Sequence, residues 1–500
     1  MKKLLCVLLT FALVAALAGC GKTEGNNASS DNAGKTTNTQ TSESEKTEEN
    51  KTTETTEPIV LRVCDWSDST TAAREKFHEE FMKNNPDIKI EYSCMTIDQF
   101  SNSVVLAISG GDAPDLFPVP SNMNLPTAVA SDWYLPMQDY VSQEFIDSFI
   151  DGTLEEGKQR INGVLYTVPE NKGMTHSLIF YNTDILEQCG LEVPTTFEEF
   201  RNACKVVTEK GNGEFYGLIE GGNQANRCDV MLRAFAQAAG GKIAVSNEAL
   251  TVNGRAPYDS PEVKLAAKLI SDIVNDGSVY PDTASIAAPE ARELFAQGKA
   301  AFLMQGNWCI GAWDSTYPDF HYSVMAVPKA SPNGYTAAGE NGTWMGIYKQ
   351  TKHPEAAARY LEALYDTETY SYQADVVSAG SYISVIKGVN EKYLTNEKMK
   401  KYYELASEGV AIPIATTRDT GFYDFYGVVA GCTPNLANIC QGIFSNSFEN
   451  VEEVLDQLAE AETKNWQAGC ELAGVDFSKL EFDNWEAGKP YTDADYSNLK

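Results

Sequence analysis

The sequence predicts an α/β protein of two lobes, each a mostly parallel sheet flanked by helices. Three observations carry this. From about Pro58 onward the chain runs for roughly 440 residues, well beyond the roughly 250–300 at which a single hydrophobic core stops growing. Residues 59–118 read strand, helix, strand, helix, strand, the order that gives parallel strands joined by right-handed crossovers. In mid-chain a short apolar run, Ser177–Tyr181 (SLIFY), reads as a buried strand that leads into a new α/β unit.

Ile59–Trp66 is the first strand, and Ala73, Phe77 and Phe81 mark the inner face of a helix that Pro86 terminates. Ile88–Cys94 is the next strand. A helix from about Ile97 to Ile108 ends at Gly110 and Gly111, and a short strand follows at Asp115–Pro118. Thr196 with Glu199 has capping-box spacing, so a helix carrying Phe200, Ala203 and Val207 starts there. Ser260-Pro261 opens another helix through Val263, Ala267, Ile270 and Val274. Val324–Val327 and Thr343–Tyr348 read as strands, Pro354 opens an Ala-rich helix, and Asn450 caps a helix carrying Val451, Val454, Leu455 and Leu458.

The order of parts resembles the family 1 extracellular solute-binding proteins of bacterial ABC sugar importers. The matching residues are a Gly163-x-x-Tyr166-x-x-Pro169 turn, a strand ending in Tyr181-Asn182, and a helix start at Pro194, Thr196, Phe197 and Glu199. The Ser109–Asp115 turn and the Lys299–Trp308 stretch, with Gly306-x-Trp308, are further matches. The resemblance implies a periplasmic-binding-protein-like (type II-like) fold in which the chain crosses from one lobe to the other and back, with a ligand cleft between the lobes. It assigns residues 58–176 to lobe I, 177–329 to lobe II, 330–388 to lobe I again and 389–475 to lobe II. An acidic, aromatic extension, 476–500, departs from the family and its role is open. No cofactor, a carbohydrate ligand, permease subunits as partners and a monomeric state are implied.

Upstream, Lys2 and Lys3 precede an apolar run, Leu4–Ala18, shorter than the roughly 20 residues that span a bilayer, so 1–19 reads as a secretion signal. Leu17-Ala18-Gly19-Cys20 resembles a lipobox, which implies lipid on the Cys20 sulfur and placement on the outer face of the cytoplasmic membrane. Residues 21–57 hold no aromatic or branched aliphatic side chain and read as a disordered tether. The formal charge of −31 and the lack of a basic patch exclude nucleic acid as a natural partner. Nine cysteines lie beyond Cys6 and Cys20 without a C-x-x-C pair, so they read as buried thiols and not as a zinc site.

A site between two α/β lobes belongs at the carboxyl ends of strands. The candidate ligand-binding residues are Asp65, Trp66 and Asp68 after the first strand, Asp112 (and Asp115) on the turn, Glu170 and Asn171 after the Tyr166–Pro169 turn, Trp308, Glu340 and Trp344 at later junctions, and Tyr423 in an aromatic cluster with Phe422, Phe425 and Tyr426. Carboxylates and amides pair with hydroxyls, and indole faces cover the apolar face of a sugar ring. Core packing is the alternative for each Trp, Trp313 included, and turn stabilisation for Asp112 and Asp115. A glycoside hydrolase using two of the many carboxylates is the rival class, although no nucleophile elbow, His-Glu-x-x-His or phosphate loop is present. Polyamine or metal-ion capture is a third; Tyr402-Tyr403, the candidate ferric pair, point to different helix faces.

Overall fold

The computed structural model describes residues 58–339, 342 and 344–491. The leader, Cys20, the tether, Glu340 and residues 492–500 lie outside the described residues. Among the described residues eleven strands are formed: β1 (Ile59–Asp65), β2 (Ile88–Cys94), β3 (Leu116–Pro118), β4 (Arg160–Ile161), β5 (Val164–Leu165), β6 (Thr167–Val168), β7 (Ile179–Asn182), β8 (Tyr216–Ile219), β9 (Ala300–Met304), β10 (Tyr322–Met325) and β11 (Met345–Ile347). One sheet has the order β2-β1-β3-β11-β6, the other β10-β7-β9-β8, and β4-β5 is a separate hairpin. Each larger sheet carries helices and its own apolar core, so the chain is a two-lobed α/β protein.

The sheets are mixed, which refines the parallel expectation. β1 pairs in parallel with β2 and β3, and β8 with β9. β11, however, runs against β3 and β6, and β7 against β9 and β10. The reason is the crossing of the chain. β7 and β11 are reached from the other lobe, so they enter their sheets at the cleft and run away from it, whereas β1, β6 and β9 run towards it.

Local signals place the helices. Thr196 and Glu199 form the capping box of the helix Phe197–Gly211, and Ser260 caps Pro261–Asn275. Asn182, at the end of β7, accepts a hydrogen bond from the Ile185 backbone at 3.0 Å and so starts the helix Thr183–Cys189. In the β4-β5 turn Asn162 and Gly163 both take positive φ, 53° and 77°, and the Glu156 carboxylate binds both backbone N–H groups. Glycine suits that left-handed position because it has no Cβ to clash. Seven of the nine described cysteines are buried and all nine are free. Among the described residues no helix is long and apolar enough to cross a membrane.

One stretch sits differently from its sequence assignment, and the extension, whose role the sequence leaves open, takes a definite place. Residues 330–338 stay with the second sheet's lobe: the backbone N–H of Ala330 and of Tyr335 donate to the carbonyls of Ala238 and Gln237, at 3.0 and 3.1 Å, and the Tyr335 hydroxyl donates to Gly241 at 2.8 Å. The chain rejoins the first sheet only at β11. Residues 477–491 are no loose tail. Leu480, Phe482, Trp485 and Tyr491 pack with Leu250, Tyr335, Ala337 and Ile412 in a small separate core.

Glu481 fastens this C-terminal strap. Its carboxylate accepts from the Thr251 hydroxyl at 3.0 Å and from the Asn253 and Gly254 backbone at 2.8 Å each. Hydrogen bonds to a charged group contribute about 1.5–3 kcal/mol. Glu481→Ala is therefore expected to lower stability by about that amount in urea unfolding; an unchanged midpoint would mean that the strap is not anchored there.

Candidate functional site

The ends of β1, β6 and β9 and the start of β11 converge on a cavity of about 540 Å³ between the two sheets. That volume falls in the roughly 300–1,000 Å³ range of small-molecule sites. Trp66, Asp68, Glu170, Asn171 and Trp344 line it from the first lobe; His176, Gln224, Asn226, Arg227, Arg292, Gln305 and Trp308 line it from the second or from the crossing into it. Side chains that can donate, accept or do both are thus interleaved with indole surface.

The two half-buried tryptophans are held from behind. Trp66 stands edge-to-face against Phe100 at 5.1 Å. Trp308 lies against the backbone of Gly306, where a Cβ would come within 2.1 Å of the indole, so the residue at 306 must be glycine for the ring to lie there. The His176 ring meets Trp308 edge-on at 4.8 Å. Trp344 is different. It is only 3% exposed and the Arg74 guanidinium sits 4.8 Å from its ring centroid. Trp344 is a wall with one face already covered.

Arg74 is fully buried on the inner face of the helix Thr71–Asn84. It donates to the Tyr372 hydroxyl at 2.8 Å and to Glu170 at 3.3 Å, and lies 3.8 Å from the Asp65 carboxylate. Glu170 also accepts from the Ser67 hydroxyl at 2.6 Å. Burial pushes its carboxyl up to about 7, Arg74 opposing and Asp65 adding to the rise. In the second lobe Arg227 lies 3.7 Å from Glu220, both buried, and donates to the Met304 carbonyl at 2.6 Å. Burial raises the Glu220 carboxyl too, against the pull of Arg227. A third pair, Asp68 with Arg292, joins the lobes.

Of the sequence candidates, Trp66, Asp68, Glu170, Asn171, Trp308 and Trp344 come together at the cavity. Asp65 does not: it is wholly buried, accepting from the Ser67 backbone and the Tyr92 hydroxyl, because its side chain turns inward from the strand end. Asp112 is exposed and paired with Arg62 at 2.7 Å, and Asp115 accepts from the Arg62 backbone and the Thr351 hydroxyl; both hold the turn. Trp313 is core, among Phe180, Phe295 and Tyr322. Phe422 and Phe425 are core as well, and Tyr423 lies against Gly157, away from the cavity lining. Glu340 lies outside the described residues. Tyr402 is buried, while the Tyr403 hydroxyl accepts from Lys172. Among the described residues no three His, Cys, Asp or Glu side chains are placed to hold a metal ion.

Sequence reading missed Arg74, Arg227, Arg292, His176 and Gln305. Arg74 had a signal: with Phe77 and Phe81 it lies at helical spacing on one face, and an arginine on an apolar face implies a buried partner. The others depend on contacts between distant segments.

Two lobes joined by crossing strands, with a mixed polar and aromatic cavity between them, define a solute receptor of the two-lobed kind. The model of the family described as bacterial extracellular solute-binding protein matches residues 66–370, and the chain belongs to that family. The multiple sugar-binding protein of Streptococcus mutans is 23% identical over 331 residues, 64% of this chain and 73% of its own length. The melibiose/raffinose/stachyose-binding protein of Bacillus subtilis is 19% identical over 352 residues, 67% of this chain and 78% of its own. Solved structures share the fold: a maltose-bound protein of T. maritima, with a TM-score of 0.63 at 18% identity over 81% of this chain and 99% of its own, and a raffinose complex, with 0.62 at 17% over 82% and 100%.

The raised carboxyl of Glu170 has a pH signature. A carboxyl whose folded pKa lies above its usual 4.5 contributes most at low pH, and that contribution is lost as pH rises to about 7. Glu170→Gln cannot ionise, so its stability relative to the wild type should shift in the variant's favour between pH 4.5 and pH 8. Urea unfolding of both proteins at the two pH values measures this; a constant difference would remove the raised pKa from the account.

Proposed function

We propose that this chain is a lipid-anchored receptor that captures a carbohydrate outside the cell, closes its two lobes over it and presents it to the permease of an ABC importer. The observation that carries the reading is the placement of half-buried Trp66 and Trp308 from opposite lobes on one cavity rimmed with carboxylate, amide and guanidinium groups. Aromatic faces take the C–H faces of a sugar ring, and side chains with fixed partners present hydrogen-bonding atoms to its hydroxyls at little entropic cost. The sugar-binding relatives support the same ligand class. In this reading the protein acts as a monomer, needs no cofactor and is not an enzyme.

A hydrolase reading draws on one feature, Glu170, whose carboxyl near 7 suits a general acid. Its Oε1 is already engaged by Ser67 and Arg74, an arrangement that fixes the side chain for recognition.

Two outcomes follow from the receptor reading. Trp308→Ala should weaken sugar affinity by about 2 kcal/mol or more, as truncated aromatic hot spots do, with little change in urea unfolding. A stability loss of about 3–5 kcal/mol with normal binding by the folded fraction would make the residue core instead. For the anchor, Cys20→Ser should move the protein from the membrane fraction to the soluble fraction on cell fractionation; retention on membranes would contradict lipidation at Cys20.

A further inference from the structure

Three charge pairs border the cavity, and they differ in what they join. Arg74 and Glu170 both belong to the first lobe, and Arg227 and Glu220 both to the second. The Asp68–Arg292 pair runs from one lobe to the other. Its two halves are unequal. Arg292 is fixed: its side chain is 13% exposed, its Nε donates to the Ala288 carbonyl at 3.3 Å, and its own carbonyl accepts from the Trp313 indole at 3.2 Å. Asp68 is 44% exposed on a short turn after Trp66, where its carbonyl accepts from the Thr71 hydroxyl at 2.9 Å. Among the described residues no second carboxylate is paired with Arg292.

We infer that the Asp68–Arg292 ion pair is a latch that holds the lobes together over the cavity, biasing the ligand-free protein towards the closed state and so setting its affinity. Separation of the lobes breaks this pair and leaves the other two intact, so among the three only its energy enters the closed-to-open difference. A bound solute that touches the same closed state adds to it, because a ligand shifts a two-state equilibrium only by its differential interaction with the two states. The pair's consequence for affinity rests on the carbohydrate reading; its effect on the ligand-free protein does not.

The test uses the full chain without ligand, as wild type, Asp68→Asn and Asp68→Glu. Small-angle X-ray scattering reads lobe separation and urea unfolding reads global stability. The expected result is a larger radius of gyration for Asp68→Asn, a return towards the wild-type value for Asp68→Glu, which keeps the charge, and a cooperative urea transition in both, with the Asp68→Asn midpoint lowered only by what the closed state loses. Identical scattering of wild type and Asp68→Asn overturns the latch. Expansion accompanied by loss of the cooperative urea transition also overturns it, since the change would then be partial unfolding and not lobe separation. Raffinose titrations form the second arm: where the wild type binds, Asp68→Asn should bind about tenfold more weakly, within the range of coupling between linked equilibria, and an unchanged affinity counts against the latch. If the wild type binds none of raffinose, maltotriose and arabino-oligosaccharides while the scattering shift is present, the latch stands and the carbohydrate reading falls.

Discussion

The buried guanidinium of Arg74 is the constraint on which the site depends. It reaches the ends of β1 and β6 through Asp65 and Glu170, the helix Tyr372–Ser378 through Tyr372, and the start of β11 through the face of Trp344. A cation with no access to water is costly unless surrounded by such partners, and removing Asp65 would leave its buried charge poorly compensated. The group therefore specifies geometry more than it adds stability. Four segments far apart in sequence must meet at one point, and the first wall of the cavity is fixed before any ligand arrives.

The second lobe builds its wall by other means. β9 is buried along its whole length, and Trp308, just beyond it, is set by the absence of a side chain at Gly306. Arg227 reaches back to the Met304 carbonyl and ties the helix Ala225–Ala238 to the end of the same strand. Each wall is thus rigid within its own lobe. A receptor that opens and closes without rebuilding its site needs walls of this kind, each tied within one lobe.

Much of this was legible in the chain because local chemistry wrote it. Capping boxes and Pro at first helical positions located helix starts at Thr196 and Ser260, and the apolar run before Asn182 located the crossing strand. The Gly-x-Trp spacing and strand-end positions brought Trp66, Glu170, Asn171 and Trp308 to the cavity. Misplaced residues share a physical cause. Asp65, Asp112 and Asp115 are acidic residues near strand ends whose partners, Tyr92, Arg62 and Thr351, lie 27, 50 and 236 positions away, and no local pattern announces such pairings. Tyr423 and its neighbours face a lobe boundary that depends on how the C-terminal helices return. The direction of β7 and β11 likewise follows from the global path of the chain and not from the residues within them.

In the proposed function the interlobe cavity takes a neutral carbohydrate and releases it unaltered. Calorimetric titration of the purified protein with raffinose, maltotriose and arabino-oligosaccharides, with spermidine and Fe³⁺ as controls and chromatographic recovery of the bound sugar, tests it most directly. The account predicts saturable binding of at least one neutral oligosaccharide, recovered intact, and none of the controls. Binding of a control in place of every sugar, or time-dependent cleavage of a bound sugar that is abolished by Glu170→Gln, would contradict it.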